Sequence, residues 1–113
     1  MIDVSVEIAN SLAEFTEDVQ EALTESADEV TKEAVKSLKV TSPTRTKKYA
    51  KSWIRKKTSN GYVIYNKRYY LTHLLEHGHT KRGGGRVEGI KHIEPVEQQA
   101  VQSFEEKVRE KLR

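Results

Sequence analysis

The fold is decided by residues 11–38, which have the sequence SLAEFTEDVQEALTESADEVTKEAVKSL. Apolar side chains recur there mostly at steps of three and four residues, which places them on one face of an α-helix. They are Leu12, Phe15, Val19, Leu23, Val30, Ala34 and Leu38, widened by Ala22, Ala27 and Val35. The pattern predicts a helix of about 28 residues, roughly 40 Å long. A capping box at Ser11 and Glu14 predicts its first turn. A helix this long for so small a protein usually rests on another subunit.

The segments next to this helix predict strands. Residues 2–8 alternate apolar and polar side chains, the period of a half-buried strand, so we expect a strand before the helix. Pro43 predicts that the helix ends in a loop at 41–44. Residues 49–58 then predict a strand, Ser59-Asn60-Gly61 a hairpin turn, and residues 62–65 the returning strand.

The last third of the sequence predicts two helices separated by glycines. Residues 69–77 indicate a short helix that Gly78 stops. Residues 78–91 contain five glycines and five basic or histidine side chains, and we expect them to form a mobile loop. A short edge strand at His92-Ile93 and a final helix beginning at Pro95 follow. We therefore expect one α+β domain over residues 1–113, with a long N-terminal helix and a C-terminal helix packed on a small, mainly antiparallel sheet.

Charge is segregated along the chain, although the formal net charge is only +3. Residues 1–35 have ten acidic side chains and one base, whereas residues 36–91 have fifteen Lys or Arg and two acids. This segregation indicates electrostatic complementarity within the fold or between subunits. A solvated acidic helix beside a basic sheet explains it equally well. Hydrophobic residues make up 35% of the chain and charged residues 33%, which indicates a thin core.

Composition also limits the chemistry and the location of the protein. The chain has no cysteine, which excludes disulfides and thiolate metal sites. Its start has neither the basic residues nor the apolar run of a secretion signal, and no stretch is long enough to span a membrane. We therefore expect a protein that is made in the cytoplasm.

One motif suggests catalysis. His73, Glu76 and His77 form a His-x-x-Glu-His arrangement, in which two histidines one helical turn apart bind zinc and the glutamate acts as a base. The chain offers no clear third ligand and little room for a substrate cleft. Leu74 and Leu75 explain the segment as a packing helix with ordinary surface histidines. A zinc hydrolase is therefore only a remote alternative.

Basic side chains suggest a binding surface. Lysines and arginines are concentrated in two places, the predicted hairpin with the residues before it and the glycine-rich loop. Trp53 adds an aromatic ring to the basic residues of the hairpin. Single-stranded nucleic acids are bound by such surfaces, so a small nucleic-acid-binding protein is the main alternative function. On a strand, however, the charges point to both faces, and lysines that protect a sheet edge explain them as well. The predicted partner-binding residues are Arg45, Lys47, Lys48, Lys51, Trp53, Arg55, Lys81, Arg82 and Arg86.

Three stretches carry a resemblance to a known family. They are PTRTKKYAKSW (residues 43–53), YLTHLLEHGH (residues 70–79) and HIEPV (residues 92–96). In this order they resemble the proline–threonine–glycine stretch, the "E-x-G" helix and the entry to the last helix of the gene-product-ten-like tail-component proteins of long-tailed bacteriophages. The likeness extends over roughly residues 9–112. Lys47 and Tyr49 stand where that family usually has glycine and leucine.

The resemblance implies a non-enzymatic assembly protein of the phage neck or tail end, acting in head–tail joining or tail completion. It implies no catalytic residues and no cofactor. The expected partners are other copies of the chain in a ring, and neighbouring connector, stopper or tail-tube proteins. Contact with DNA is expected to be indirect or within a channel. The expected location is the virion, after assembly in the cytoplasm of the bacterial host.

Overall fold

The computed structural model describes residues 4–43, 47–59 and 61–113, and residues 4–10 as backbone only. Within these ranges the chain forms four helices and two antiparallel pairs of strands. The elements are α1 (Val4–Thr41), α2 (Lys48–Lys51), β1 (Trp53–Thr58), β2 (Gly61–Asn66), α3 (Tyr69–His77), β3 (Gly78–Thr80), β4 (Arg86–Glu88) and α4 (Ile93–Lys111). The predicted α+β class, with a long first helix, a last helix and small antiparallel sheets, is confirmed.

Helix α1 is longer than the sequence indicated and replaces the predicted first strand. It begins at Val4 and has 38 residues, which corresponds to a length of roughly 57 Å. The strand prediction for residues 4–8 and the capping box at Ser11 are therefore wrong, and residues 1–3 lie outside the described ranges. Val4, Ile8 and Leu12 also have four-residue spacing. Without Gly or Pro in between, extending an existing helix is easier than starting a separate strand.

Helices α1 and α4 pack side by side in opposite directions. Val96, in the first turns of α4, belongs to the same core cluster as Ala34 and Leu38 of α1. Near the other end of α4, the Lys111 ammonium lies 3.2 Å from the Glu29 carboxylate. Tyr49 and Trp53 complete the buried cluster. The core thus lies where the C-terminal half of α1 meets the start of α4, α2 and β1.

Strands β1 and β2 form the predicted hairpin. Their register pairs Trp53 with Asn66 and Thr58 with Gly61, and Gly61 has a φ of 144° that favours glycine. Asn60, at the predicted turn, lies outside the described residues. The first strand begins at Trp53 rather than at residue 49, because residues 48–51 form the single turn α2, which buries Tyr49 and Ala50. The Ser52 hydroxyl holds this turn by donating to the Lys48 carbonyl at 2.5 Å.

The hairpin has one face on α1 and one face open. On the inner face, Arg55 forms an ion pair with Asp28 of α1 at 2.7 Å and lies 4.6 Å from the centre of the Tyr62 ring. The register places Ile54 opposite Tyr65 on the outer face, where Tyr65 is 40% exposed. The sheet is therefore covered on one side only.

The end of the chain agrees in part with the sequence prediction. Helix α3 covers the predicted residues 69–77 and ends at Gly78. The predicted edge strand at His92-Ile93 is wrong, because Ile93 begins α4 and His92 occupies the position just before it. Pro95, predicted as the first helical residue, is the third, where its missing N–H still costs the helix no hydrogen bond. The glycine-rich stretch forms a second hairpin from β3 and β4, with Gly78 opposite Glu88.

Asp28 links α1 to the hairpin and should make stability depend on pH. The hydrogen bond from Arg55 holds the pKa of Asp28 at about 2, below its ordinary value of 3.8. A carboxyl with a lowered pKa stabilises the fold above its unfolded pKa, and this contribution is lost as the pH falls. We expect Asp28→Asn to lower the melting temperature at neutral pH and to flatten its fall between about pH 4 and pH 2. Asp18→Asn, on the exposed part of α1, should leave the pH profile unchanged, and equal profiles for the two variants would contradict the role of Asp28.

Candidate functional site

A buried carboxylate joins α3 to the start of α4. Glu76 is only 4% exposed, and its Oε1 accepts hydrogen bonds from the backbone N–H groups of His92 at 2.8 Å and Ile93 at 2.9 Å. Its Oε2 accepts a third from the N–H of Glu94 at 3.1 Å. The first turn of a helix has unpaired N–H groups and a partial positive charge, so a carboxylate there is stabilised twice. Glu76 therefore caps α4 from a different helix.

His92 extends this cap into the core. Its side chain is fully buried, with Nδ1 3.0 Å from Oε1 of Glu76 and 2.7 Å from the Ile90 carbonyl. On the other side of the ring, Nε2 lies 2.8 Å from the Tyr49 hydroxyl. A proton on Nδ1 is donated to the Ile90 carbonyl, and Nε2 then accepts from Tyr49. Burial raises the pKa of Tyr49, which keeps its hydroxyl a donor. The ring thus connects α2, α3 and α4.

In this geometry Glu76 is not available as the catalytic base that the zinc hypothesis requires. Burial alone would raise the pKa of Glu76, but the three backbone donors outweigh it and lower the pKa. The carboxylate faces the N-terminus of α4, whereas His73 and His77 are exposed, with ring centres 4.9 Å apart. No group of three possible metal ligands occurs among the residues that the structure describes. The motif thus joins α3 to α4 through Glu76.

The predicted basic surface around β1 is divided by the fold. Lys47, Lys48 and Lys51 are exposed, while Arg45 lies outside the described residues. Trp53 is 4% exposed and donates its ring N–H to the Ser42 hydroxyl at 2.7 Å, so it is a core residue. The Arg55 side chain is about a quarter exposed and is engaged with Asp28. Trp53 and Arg55 are therefore both turned inward.

The basic arm is a hairpin with a fixed base. We use the name basic arm for residues 78–89. At the base, a side chain on Gly89 would collide with the Glu76 carbonyl and the Gly78 backbone, so only glycine fits. The Ile90 N–H donates to the Leu75 carbonyl at 2.7 Å, and the Arg86 side chain donates to the His77 carbonyl. Lys81 and Arg82, at the tip, are exposed. The arm thus carries its free positive charge at the tip, and its mobility stays a prediction.

From the sequence we expected the long helix to rest on another subunit, but the pattern did not predict which apolar side chains stay exposed. Leu12 and Phe15 of α1 are 61% and 62% exposed, although their spacing placed them on the apolar face of the helix. Val63, on the outer face of the hairpin, is 49% exposed. The available signal was the helix itself, since its apolar face is longer than a small core can cover.

The acidic charge of α1 is neutralised over only part of its length. Lys111 lies 3.8 Å from Glu25, and Lys107 lies 3.4 Å from Glu29 and 3.9 Å from Glu33. The hydrogen bond from Lys111 lowers the pKa of Glu29 below its ordinary value. Further towards the N-terminus, Glu14, Glu17, Asp18 and Glu21 form no ion pair with any residue that the structure describes. Complementarity within the fold therefore accounts for half of the acidic helix.

The comparisons with known proteins agree with this architecture. The model of the family described as "Bacteriophage HK97-gp10, putative tail-component" matches residues 7–78, more than half of the 113 residues. The chain therefore belongs to this family of bacteriophage tail components. The resemblance stated above is confirmed for its first two stretches, whereas the third, at residues 92–96, lies beyond the match. No curated protein and no solved structure matches the chain significantly.

Membership of this family defines a structural component of the phage tail, and hence a place in the virion. Among the described residues, none of the helices combines the length and the apolar character that crossing a lipid bilayer requires.

Replacing Glu76 should test the cap directly. Glu76→Ala leaves one buried and two part-buried N–H groups without an acceptor, and we expect it to lower the free energy of unfolding by about 2 kcal/mol or more. Glu76→Gln keeps one acceptor oxygen and should cost less. Chemical denaturation measures both. Glu97→Ala, on the exposed side of the same helix, serves as the control, and an equal loss in Glu97→Ala and Glu76→Ala would show that the cap contributes nothing.

Proposed function

We propose that this tail component acts at the joint between head and tail, in head–tail joining or tail completion. Copies of the chain form a closed ring, and the ring docks on the neighbouring connector, stopper or tail-tube proteins. The observation that carries the proposal is the family match combined with surfaces that are left open in the single chain. A structural protein with unpaired apolar and charged surfaces is expected to bury them against other subunits.

A ring requires two different patches on each subunit. Contacts between unlike patches close into a ring when the rotation between neighbours permits it. The chain offers an acidic patch at the N-terminal half of α1 and basic patches around α2 and the tip of the arm. Opposite charges attract copies in one orientation and oppose the symmetric pairing of like patches.

The basic arm suits contact with the next protein in the joint. Its base is fixed to the end of α3, while its tip carries Lys81 and Arg82 away from the core. A rooted hairpin with a charged tip presents the same side chains at the same height on every subunit of a ring. Because these contacts are made simultaneously around the ring, contacts that are weak individually give a high overall affinity.

Nucleic-acid binding is less well supported as the main function. Trp53, the aromatic ring of the basic run, is buried and does not offer a stacking surface. A DNA-binding protein would lose affinity steeply as salt increases, by several decades if many phosphates were contacted. Titration of the purified chain with single- and double-stranded oligonucleotides at two salt concentrations separates this function from assembly.

Shortening the basic arm should separate assembly from folding. In a phage whose copy of this gene encodes the variant, an Asn-Gly turn in place of residues 81–85 removes the tip but keeps Gly78 and Gly89. We expect full heads and unattached tails in electron micrographs of the lysate, because the docking contacts are lost. The melting temperature of the purified variant should change little, since residues 81–85 are exposed.

The matched control removes two positive charges elsewhere. Lys36→Ala and Lys39→Ala together alter exposed lysines of α1 and should leave infectious particles at wild-type numbers. Normal particles from the shortened arm would show that the arm does not dock. Normal particles from a phage that lacks the whole gene would overturn the proposed function.

A further inference from the structure

The N-terminal part of α1 is left largely uncovered by the part of its own chain that the structure describes. We call residues 11–21 the overhang. Helix α4 ends beside it, because Lys111 reaches Glu25 at 3.8 Å and the last residues of the chain lie next to Phe15 and Asp18. Leu12 and Phe15, 61% and 62% exposed, continue the stripe that is buried further along the helix at Ala22 and Val30. The stripe that α4 covers in one half of α1 is thus open in the other.

Charge limits what can cover the overhang. Its four acids lie beside the apolar stripe, and residues 1–31 contain no Lys or Arg. Two overhangs packed against each other would bring like charges together, which opposes a symmetric pairing of two α1 helices. The occupant must therefore offer an apolar surface with basic side chains around it.

The outer face of the β1–β2 hairpin has this chemistry. Ile54, Val63 and Tyr65 form an apolar patch, in which Val63 and Tyr65 are 49% and 40% exposed. Lys56 pairs with Val63 across the strands, and Lys67 follows Tyr65 by two residues. Both lysines are exposed and form no ion pair with any residue in the described ranges. The patch is thus apolar in the middle and basic at its sides.

The two surfaces also agree in size. Six-residue strands are about 20 Å long, and a helical segment of eleven or twelve residues is about 18 Å long. The inner face of the hairpin is already covered by α1 of its own chain through Arg55 and Asp28. A helix on the second face would produce a sheet between two helical layers, which is a stable arrangement.

We propose that the overhang of one copy packs on the outer face of the β1–β2 hairpin of the next copy. This inference rests on the proposed ring and specifies its subunit contact. Phe15 and Leu12 cover Val63 and Tyr65, while Glu14 and Asp18 approach the lysines of the hairpin. The contact joins unlike surfaces, so it can repeat from copy to copy, and it closes into a ring when the rotation between neighbours permits it.

Engineered cysteines test the contact even where it is transient. The chain has no cysteine, so Phe15→Cys and Val63→Cys each introduce a single thiol. When the two full-length variants are mixed under mild oxidation, we expect a disulfide-linked heterodimer. Phe15→Cys mixed with Val101→Cys is the control, since Val101 is 55% exposed on α4 and lies outside the proposed contact. A Phe15–Val63 yield at least about tenfold above the control supports the contact, since the docked pair is held at high effective concentration. Equal yields would overturn it.

Charge exchange tests the orientation. One variant carries Glu14→Lys and Asp18→Lys, and the other carries Lys56→Glu and Lys67→Glu. When only one of the two cysteine partners carries its charge changes, like charges meet at the contact, and crosslinking should be lost. When the charge variant Lys56→Glu/Lys67→Glu carries the Val63→Cys thiol and the other carries Phe15→Cys, opposite charges meet again and crosslinking should return. Failure to recover in the mixture would exclude the proposed pairing.

Failure of this contact and failure of the proposed function have different signatures. If the phage lacking the gene accumulates separate heads and tails but Phe15 and Val63 do not crosslink, the protein still joins heads to tails through another subunit contact. If particles remain normal without the gene, the proposed function is wrong whatever the result of the crosslinking.

The control for the charge exchange is Glu97→Lys with Glu105→Lys, two exposed acids of α4. It gives the same change in net charge as Glu14→Lys with Asp18→Lys, but away from the contact, and should not alter crosslinking.

Discussion

The hydrogen bonds between the Glu76 carboxylate and the first turn of α4 are the interaction on which the rest of the structure depends. A buried carboxylate is costly unless it is well solvated by the protein, and three backbone N–H groups within 3.1 Å provide that solvation. The same contacts fix the start of α4, and so its path back along α1. They also fix His92, which reaches Tyr49 in the core. One side chain therefore sets the relation of α3, α4 and α2.

The "E-x-G" motif gains a physical meaning from this arrangement. Glu76 has to point inward at the last turn of α3, and the chain has to leave that turn at once without covering the carboxylate. Gly78 makes this exit possible, because its φ of 80° is a conformation that other residues rarely adopt. Gly89 then allows the returning strand to pass against the Glu76 carbonyl. The motif thus joins helices through Glu76, and it resembles a zinc motif because His73 and His77 lie on either side of this glutamate in the sequence.

The sequence predicted the elements whose signals are local. Helix α3 has a glycine stop and was predicted to the residue. The β1–β2 hairpin has a Ser-Asn-Gly turn and was predicted in the right place, although its first strand begins four residues later than expected. The strand predicted for residues 2–8 is wrong over the described residues 4–8, because the apolar spacing there suits a helix as well and only a neighbouring strand could have decided otherwise. His92-Ile93 was predicted as a strand because the acceptor that turns it into a helix start, Glu76, is sixteen residues away. Burial of Trp53 likewise depends on Ser42, eleven residues earlier, which no local pattern reveals.

The division of charge along α1 explains how a thin core and an assembly surface coexist in one helix. Glu25, Glu29 and Glu33 are matched by Lys107 and Lys111 of α4, and Asp28 is matched by Arg55, so this half of α1 is held by its own chain. The other half keeps the same apolar stripe and the same acidic flank but extends past the end of α4. Exposed ion pairs contribute little individually, so the packed stripe stabilises the helix and the charges select its partner. A surface that repeats the chemistry of the buried half is therefore suited to an equivalent partner from outside the chain, and the proposed contact assigns this place to the hairpin of a second copy.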